Sequence, residues 1–217
     1  MTAVSEFADK LLDAVKERRG LAPLSDTMDL DEATALDVQE AVVQARVDAG
    51  FPIVGAKLGL TSKAKQQQMS VDRPLYGWLT SDMQIDVAVP VVCSDYIQPR
   101  VEPEIAFLLG RDLEGRTVTA AQVLAATEAC FGAIDVLDSR YTGYKFTFND
   151  VTADNASSAG FVLGGTAVDP YGLDLRLTGC VLEKNGELVH TAAGASVMGH
   201  PAAAVAWLVR KLAERGQ

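Results

Sequence analysis

Through residue 49 the apolar positions recur at helical spacing; beyond it they alternate or run together as strands do. Phe7, Leu11, Leu12 and Val15 make one stripe over residues 4–19, closed by Gly20. Ala35, Val38, Val42 and Ala45 make a second over residues 31–49, with Asp31 as its cap and Gly50 as its end. Pro23 and Ser25-Asp26 lie in the link between them. After Gly50 the pattern predicts strands over residues 53–60, 76–79, 98–109, 131–137, 161–168 and 175–182. Thr61-Ser62 cap a short helix to residue 68, another helix covers 119–129, and a last one opens at His200-Pro201. Asn185-Gly186 suits a type I′ hairpin turn. Residues 139–155, polar and aromatic, read as a long loop at a site. The predicted class is α+β, a strand-rich mixed β core flanked by helices. Its simplest division is an N-terminal helical segment (1–50) and a β-rich, metal-binding catalytic domain (51–217).

Composition narrows the partners. A chain of 217 residues with 48% hydrophobic content buries a sizeable core. The net charge of −10 argues against nucleic acid or an anionic membrane as the main partner. No apolar run reaches membrane-spanning length, and the N-terminus alternates charged and apolar residues as a helix does, unlike a signal peptide. Cys93, Cys130 and Cys180 are odd in number and widely spaced, which predicts unpaired structural thiols and a cytoplasmic protein.

The candidate chemistry starts at Gln98-Pro99-Arg100-Val101-Glu102-Pro103-Glu104. Strand alternation points Glu102 and Glu104 the same way, with Arg100 just before them and apolar residues after. Two carboxylates at the mouth of an apolar region repel unless a cation lies between them, and a hard divalent metal supplies one. A plain solvated strand face is the competing reading. Pro103 implies an edge or a bulge. Asp135 interrupts the otherwise apolar run 131–137 and needs a partner, either the same metal or a buried cation. Lys57, alone among glycine and aliphatic residues, either pairs with one of these acids or holds a substrate carboxylate. His190 and His200 read as structural, the latter as a helix cap.

Gly55-Ala56-Lys57-Leu58-Gly59-Leu60-Thr61-Ser62, the Gln98–Glu104 stretch, Ala153-Asp154-Asn155-Ala156-Ser157-Ser158 and Gly199-His200-Pro201 together resemble the hydratase/decarboxylase group of the fumarylacetoacetate hydrolase superfamily. The similarity runs in order along nearly the whole chain. It implies the C-terminal-domain-like β core of that superfamily and Mg²⁺ or Mn²⁺ on Glu102, Glu104 and Asp135, the third position being more often Glu in the group. It implies that Lys57 lies beside a bound 2-oxo acid, and that the protein is a homo-oligomer or a partner of its pathway's hydratase. Relatives continue beyond the last helix, so C-terminal strands are expected to be missing here. Hydratases of the group carry Pro-Asp-aromatic-Gly, whereas this chain reads Pro74-Leu75-Tyr76-Gly77. The run from Asp138 to Phe146 is instead similar to the decarboxylases acting on 4-oxalocrotonate in aromatic meta-cleavage catabolism. That similarity puts Arg140 or Lys145 on the distal carboxylate of the substrate. The expected activity is therefore a carboxy-lyase, with hydratase, carbon–carbon hydrolase and non-catalytic partner subunit as rivals.

Overall fold

A computed structural model describes residues 2–217. Its elements run α1 (Ala3–Glu17), α2 (Glu32–Asp48), β1 (Ile53–Gly59), α3 (Lys63–Gln68), β2 (Leu75–Thr80) and β3 (Gln84–Ile85). They continue through β4 (Arg100–Leu109), α4 (Ala120–Ala126), β5 (Thr127–Leu137), α5 (Phe148–Ala153), β6 (Ser158–Leu163), β7 (Gly179–Lys184), β8 (Glu187–Ala193) and α6 (Pro201–Glu214). The α+β class follows directly. β1 and β2 form an antiparallel pair, β7 and β8 a hairpin, and β3, β6, β5 and β4 lie in that order in a third sheet.

Local sequence chemistry sets most boundaries. The Asp31 carboxylate accepts the amide of Thr34 at 2.7 Å and starts α2, and the Ser62 hydroxyl does the same for α3. His200 caps α6 through Nδ1, with Pro201 as the first helical residue. Asn185 and Gly186 both take positive φ, as a type I′ turn demands. Gly77 is required by crowding: a Cβ there would lie 2.4 Å from the carbonyl oxygen of Asn155.

Four expectations need correction. The strands expected over 161–168 and 175–182 are instead β6 (Ser158–Leu163) and β7 (Gly179–Lys184). Residues 127–130 belong to β5 rather than to the preceding helix, because Cys130 bridges to Val168 and Thr127 turns the chain out of α4. Residues 139–155 are not an open loop: α5 sits within them and buries Val151, Thr152 and Ala153. Thr147-x-x-Asp150 closes a capping box at its start, the sequence signal that would have revealed the helix. The segments 53–60 and 98–109 are less buried than their apolar content suggests, with Ile53, Val54, Val101 and Leu108 all exposed.

Two compact units emerge, and they cut the chain differently from a division at residue 50. One comprises residues 1–59, 75–102 and 135–162; the other 60–74, 103–134 and 163–217. In the first, α1 and α2 pack together around Phe7, Leu11, Val38, Val42 and Tyr141. The buried amide of Gln39 ties α2 to this unit by donating to the carbonyls of Tyr76 (2.9 Å) and Thr152 (3.2 Å). In the second, α4 and α6 bury Val118, Val123, Ala202 and Ala206. Among the described residues no cysteine is in a disulfide and no helix is long and apolar enough to cross a membrane.

Candidate metal centre

Strand alternation on β4 and the pairing of β1 with β2 aim the relevant side chains. On β4, Arg100, Glu102 and Glu104 share one side. On β5, Asp135 follows the apolar run that begins at Phe131. Glu102, Glu104 and Asp135 each offer a carboxylate oxygen within 4.8 Å of the others, so even the shorter Asp135 reaches the group. Asp135 is buried, Glu102 half-buried and Glu104 exposed, a gradient from core to solvent along one cluster.

Lys57 stands on β1 opposite Gly77 of β2 and forms a buried ion pair with Oδ2 of Asp135. The other Asp135 oxygen, Oδ1, is buried and, among the described residues, accepts no hydrogen bond. An orphaned carboxylate oxygen beside two further acids is costly unless a cation meets it. A divalent ion fits this donor set: all ligands are hard oxygens, as Mg²⁺ and Mn²⁺ prefer. Three carboxylates against a dication and the Lys57 ammonium also balance in charge. The pairing of Lys57 with Asp135 and a place beside a ligand are therefore compatible roles.

Burial pushes the Asp135 carboxyl above its ordinary range; Lys57 opposes the shift, and Glu102 adds to it. The metal-free folded chain thus keeps this proton at pH values where the unfolded chain has lost it. Stability from this group is present at low pH and is lost as pH rises from the ordinary carboxyl value through the raised one. A metal must displace that proton. Magnesium titration at mildly acidic pH should release protons, seen as a binding enthalpy that changes with the buffer's ionisation enthalpy, with weaker affinity than at pH 8. A buffer-independent enthalpy at every pH would remove Asp135 from the ligand set.

The remaining cations fall in different places. Arg140 is buried, its guanidinium donating to the Asp154 carboxylate and carbonyl, to the Asp138 carbonyl at 2.8 Å and to the Ser158 carbonyl at 3.0 Å. It is committed inside the fold, and the expected contact with a substrate carboxylate is not available to it. Asp154 is fully buried, and desolvation lifts its carboxyl to about 6 even against Arg140. Lys145 is exposed on the turn before α5.

Two groups that sequence reasoning passed over organise the start of β4. The Asp138 carboxylate accepts the amides of Ile97 (2.9 Å) and Gln98 (2.7 Å). The Gln98 side chain answers by donating to the carbonyls of Ser139 and Tyr141 and accepting the amide of Gly143. Only Asp138's place just beyond the apolar run of β5 hinted at this.

Comparison with known proteins follows the same lines. A scan against protein-family profiles returns no match. The chain is 42% identical over 215 residues to a 2-keto-4-pentenoate hydratase of Paraburkholderia xenovorans, covering 98% of this chain and 79% of that protein. It is 44% identical over 193 residues to a 4-oxalocrotonate decarboxylase of a Pseudomonas species, covering 89% and 73%. A solved 4-oxalocrotonate decarboxylase from Pseudomonas putida, complexed with magnesium and adipate, superposes with a TM-score of 0.94 at 39% identity over 99% of this chain and 82% of that one. A fumarylacetoacetate hydrolase family protein of Yersinia pestis shares the fold at a TM-score of 0.51 and 16% identity over 74% of this chain and 76% of that one.

Proposed function

This chain belongs to the hydratase/decarboxylase group of the fumarylacetoacetate hydrolase superfamily, and on that footing we propose that it decarboxylates 4-oxalocrotonate to 2-hydroxypenta-2,4-dienoate. Both activities represented among its relatives are lyase reactions on small unsaturated 2-oxo acids. Identity does not separate them, since a hydratase at 42% and a decarboxylase at 44% are equally near.

Leu75 carries the choice. Lys57 pairs with Gly77 and Gly59 with Leu75, so directly opposed residues place the Leu75 side chain on the Lys57 side of the β1–β2 pair. That side chain is buried, 5% exposed. Adding water across a double bond requires a group that relays a proton, which the hydratases' aspartate would provide there and leucine does not. Loss of CO₂ needs no such relay. It needs a sink for the negative charge that develops through the conjugated chain toward the 2-oxo oxygen, and a dry surface against the diene.

Glu102, Glu104 and Asp135 would hold the divalent cation, which when bound supplies Lewis acidity at the carboxylate and 2-oxo oxygens of the substrate. Lys57, fixed by Asp135, would donate a hydrogen bond to that same end and hold its orientation. Leu75 would keep water away from the conjugated chain as CO₂ leaves; the proton that completes the dienol goes to the 2-oxo oxygen, not to a carbon. A hydratase remains the second reading, favoured by the equal similarity to that branch. Two assays with Mg²⁺ separate them. Release of CO₂ from 2-oxohex-3-enedioate without consumption of 2-hydroxypenta-2,4-dienoate is the expected result; consumption of the dienol alone would transfer the chain to the hydratases.

A further inference from the structure

We propose that Arg100, stacked on the ring of Tyr144, is the cation that receives the distal carboxylate of the substrate and so sets preference for a dicarboxylic 2-oxo acid. The proposal rests on the functional reading above and adds a residue to it. Arg100 opens β4 two residues before Glu102 and shares the side of the strand that bears Glu102 and Glu104. Two strand residues span about 6.6 Å, the same order as the separation between the carboxylates of an extended six-carbon diacid. A head group seated at Glu102, Glu104 and Asp135 therefore leaves the tail within reach of this side chain.

Its surroundings hold it ready. The guanidinium carbon lies 3.7 Å from the centroid of the Tyr144 ring, and among the described residues no carboxylate pairs with it. Tyr144 is itself fixed. Its hydroxyl donates to the carbonyls of Gln98 (3.2 Å) and Leu137 (3.3 Å), one just before Arg100 and the other two residues after Asp135. Phe146 packs against the ring at 6.3 Å. Tyr144 and the preceding Gly143 both take positive φ, a backbone a tyrosine adopts only when its surroundings impose it. Burial holds the phenol up to about 12, so the platform stays neutral under working conditions. A stacked guanidinium keeps its edge free for two parallel hydrogen bonds to a carboxylate. Arg140 cannot take this part, because Asp154 occupies it, and Lys145 is exposed on the turn before α5.

The chemistry limits what Arg100 can contribute. The distal carboxylate leaves as neutral CO₂, so a cation that grips it stabilises the ground state more than the transition state. Arg100 should capture and orient the tail, an effect on KM, with kcat unchanged or slightly raised when the charge is removed. The test is calorimetric binding to the magnesium-loaded protein of 2-oxoadipate, of its mono-acid counterpart 2-oxohexanoate and of oxalate, for wild type, Arg100→Met, Arg100→Lys and Lys145→Met. Methionine keeps apolar contact with the Tyr144 ring and removes the charge. Arg100→Met is expected to weaken 2-oxoadipate at least tenfold while oxalate and 2-oxohexanoate change less than twofold, and Arg100→Lys should recover part of the loss. If wild type fails to bind oxalate, the metal-centre reading itself fails. If oxalate binds but Arg100→Met leaves the preference for the dicarboxylate intact, or Lys145→Met removes it, the role of Arg100 is overturned.

Discussion

Asp135→Asn should abolish magnesium uptake in calorimetry and lower turnover by about three orders of magnitude, the equivalent of roughly 4 kcal/mol of transition-state stabilisation. The residue has two partners to lose. Its Oδ2 pairs with Lys57, and its Oδ1 is buried and, among the described residues, accepts no hydrogen bond, so it is the oxygen that would meet a cation. Asparagine keeps the shape but removes the charge, so the Lys57 ammonium is stranded in a buried position. The single variant could lose activity simply by unfolding. Asp135→Asn combined with Lys57→Met removes both charges and should recover most of the lost stability while still failing to bind magnesium. Chelation of wild type with EDTA should reproduce the loss of turnover, and added magnesium should restore it. A variant that binds magnesium within threefold of wild type would place the metal away from β4 and β5.

The second large effect concerns stability. Arg140→Met is expected to cost about 3–5 kcal/mol, because it leaves the Asp154 carboxylate buried with no countercharge. For a chain of this size that is a fall in melting temperature on the order of 10 °C. Asp154 is fully buried, and among the described residues its cationic contact is Arg140. Pairing Arg140→Met with Asp154→Asn should return part of the loss, since neither charge is then stranded, and the coupling in that cycle measures the pair. Thermal denaturation of the four proteins is the measurement. A stable Arg140→Met protein with weakened 2-oxoadipate binding would return Arg140 to the substrate. Neighbouring arginines thus separate by readout: Arg140 in melting temperature, Arg100 in KM.

This contrast marks how far the sequence reaches. Strands and helices set by local chemistry were legible: Asp31 and Ser62 as caps, Asn185-Gly186 as the hairpin turn, His200-Pro201 as the opening of α6. The helix α5 was hidden because aromatic and polar residues outnumber its apolar ones, although its capping box stood in plain view. Arg140 and Arg100 look alike in sequence, each a cation beside the end of an apolar strand. Nothing local says that one meets Asp154 and the other a tyrosine ring, since each partner lies many residues away.

The sequence by itself determined the α+β class, most helix starts, the Glu102-x-Glu104 pair on one side of a strand and the membership that goes with its motifs. Each is a consequence of short-range periodicity or of side chains within a turn of one another. The resemblance had already named Asp135 as the third carboxylate; tertiary structure decided which acid Lys57 pairs with, which arginine is buried and which is left stacked and open. Those outcomes depend on strand pairing and on burial, and desolvation separates like residues only once the chain has closed around them.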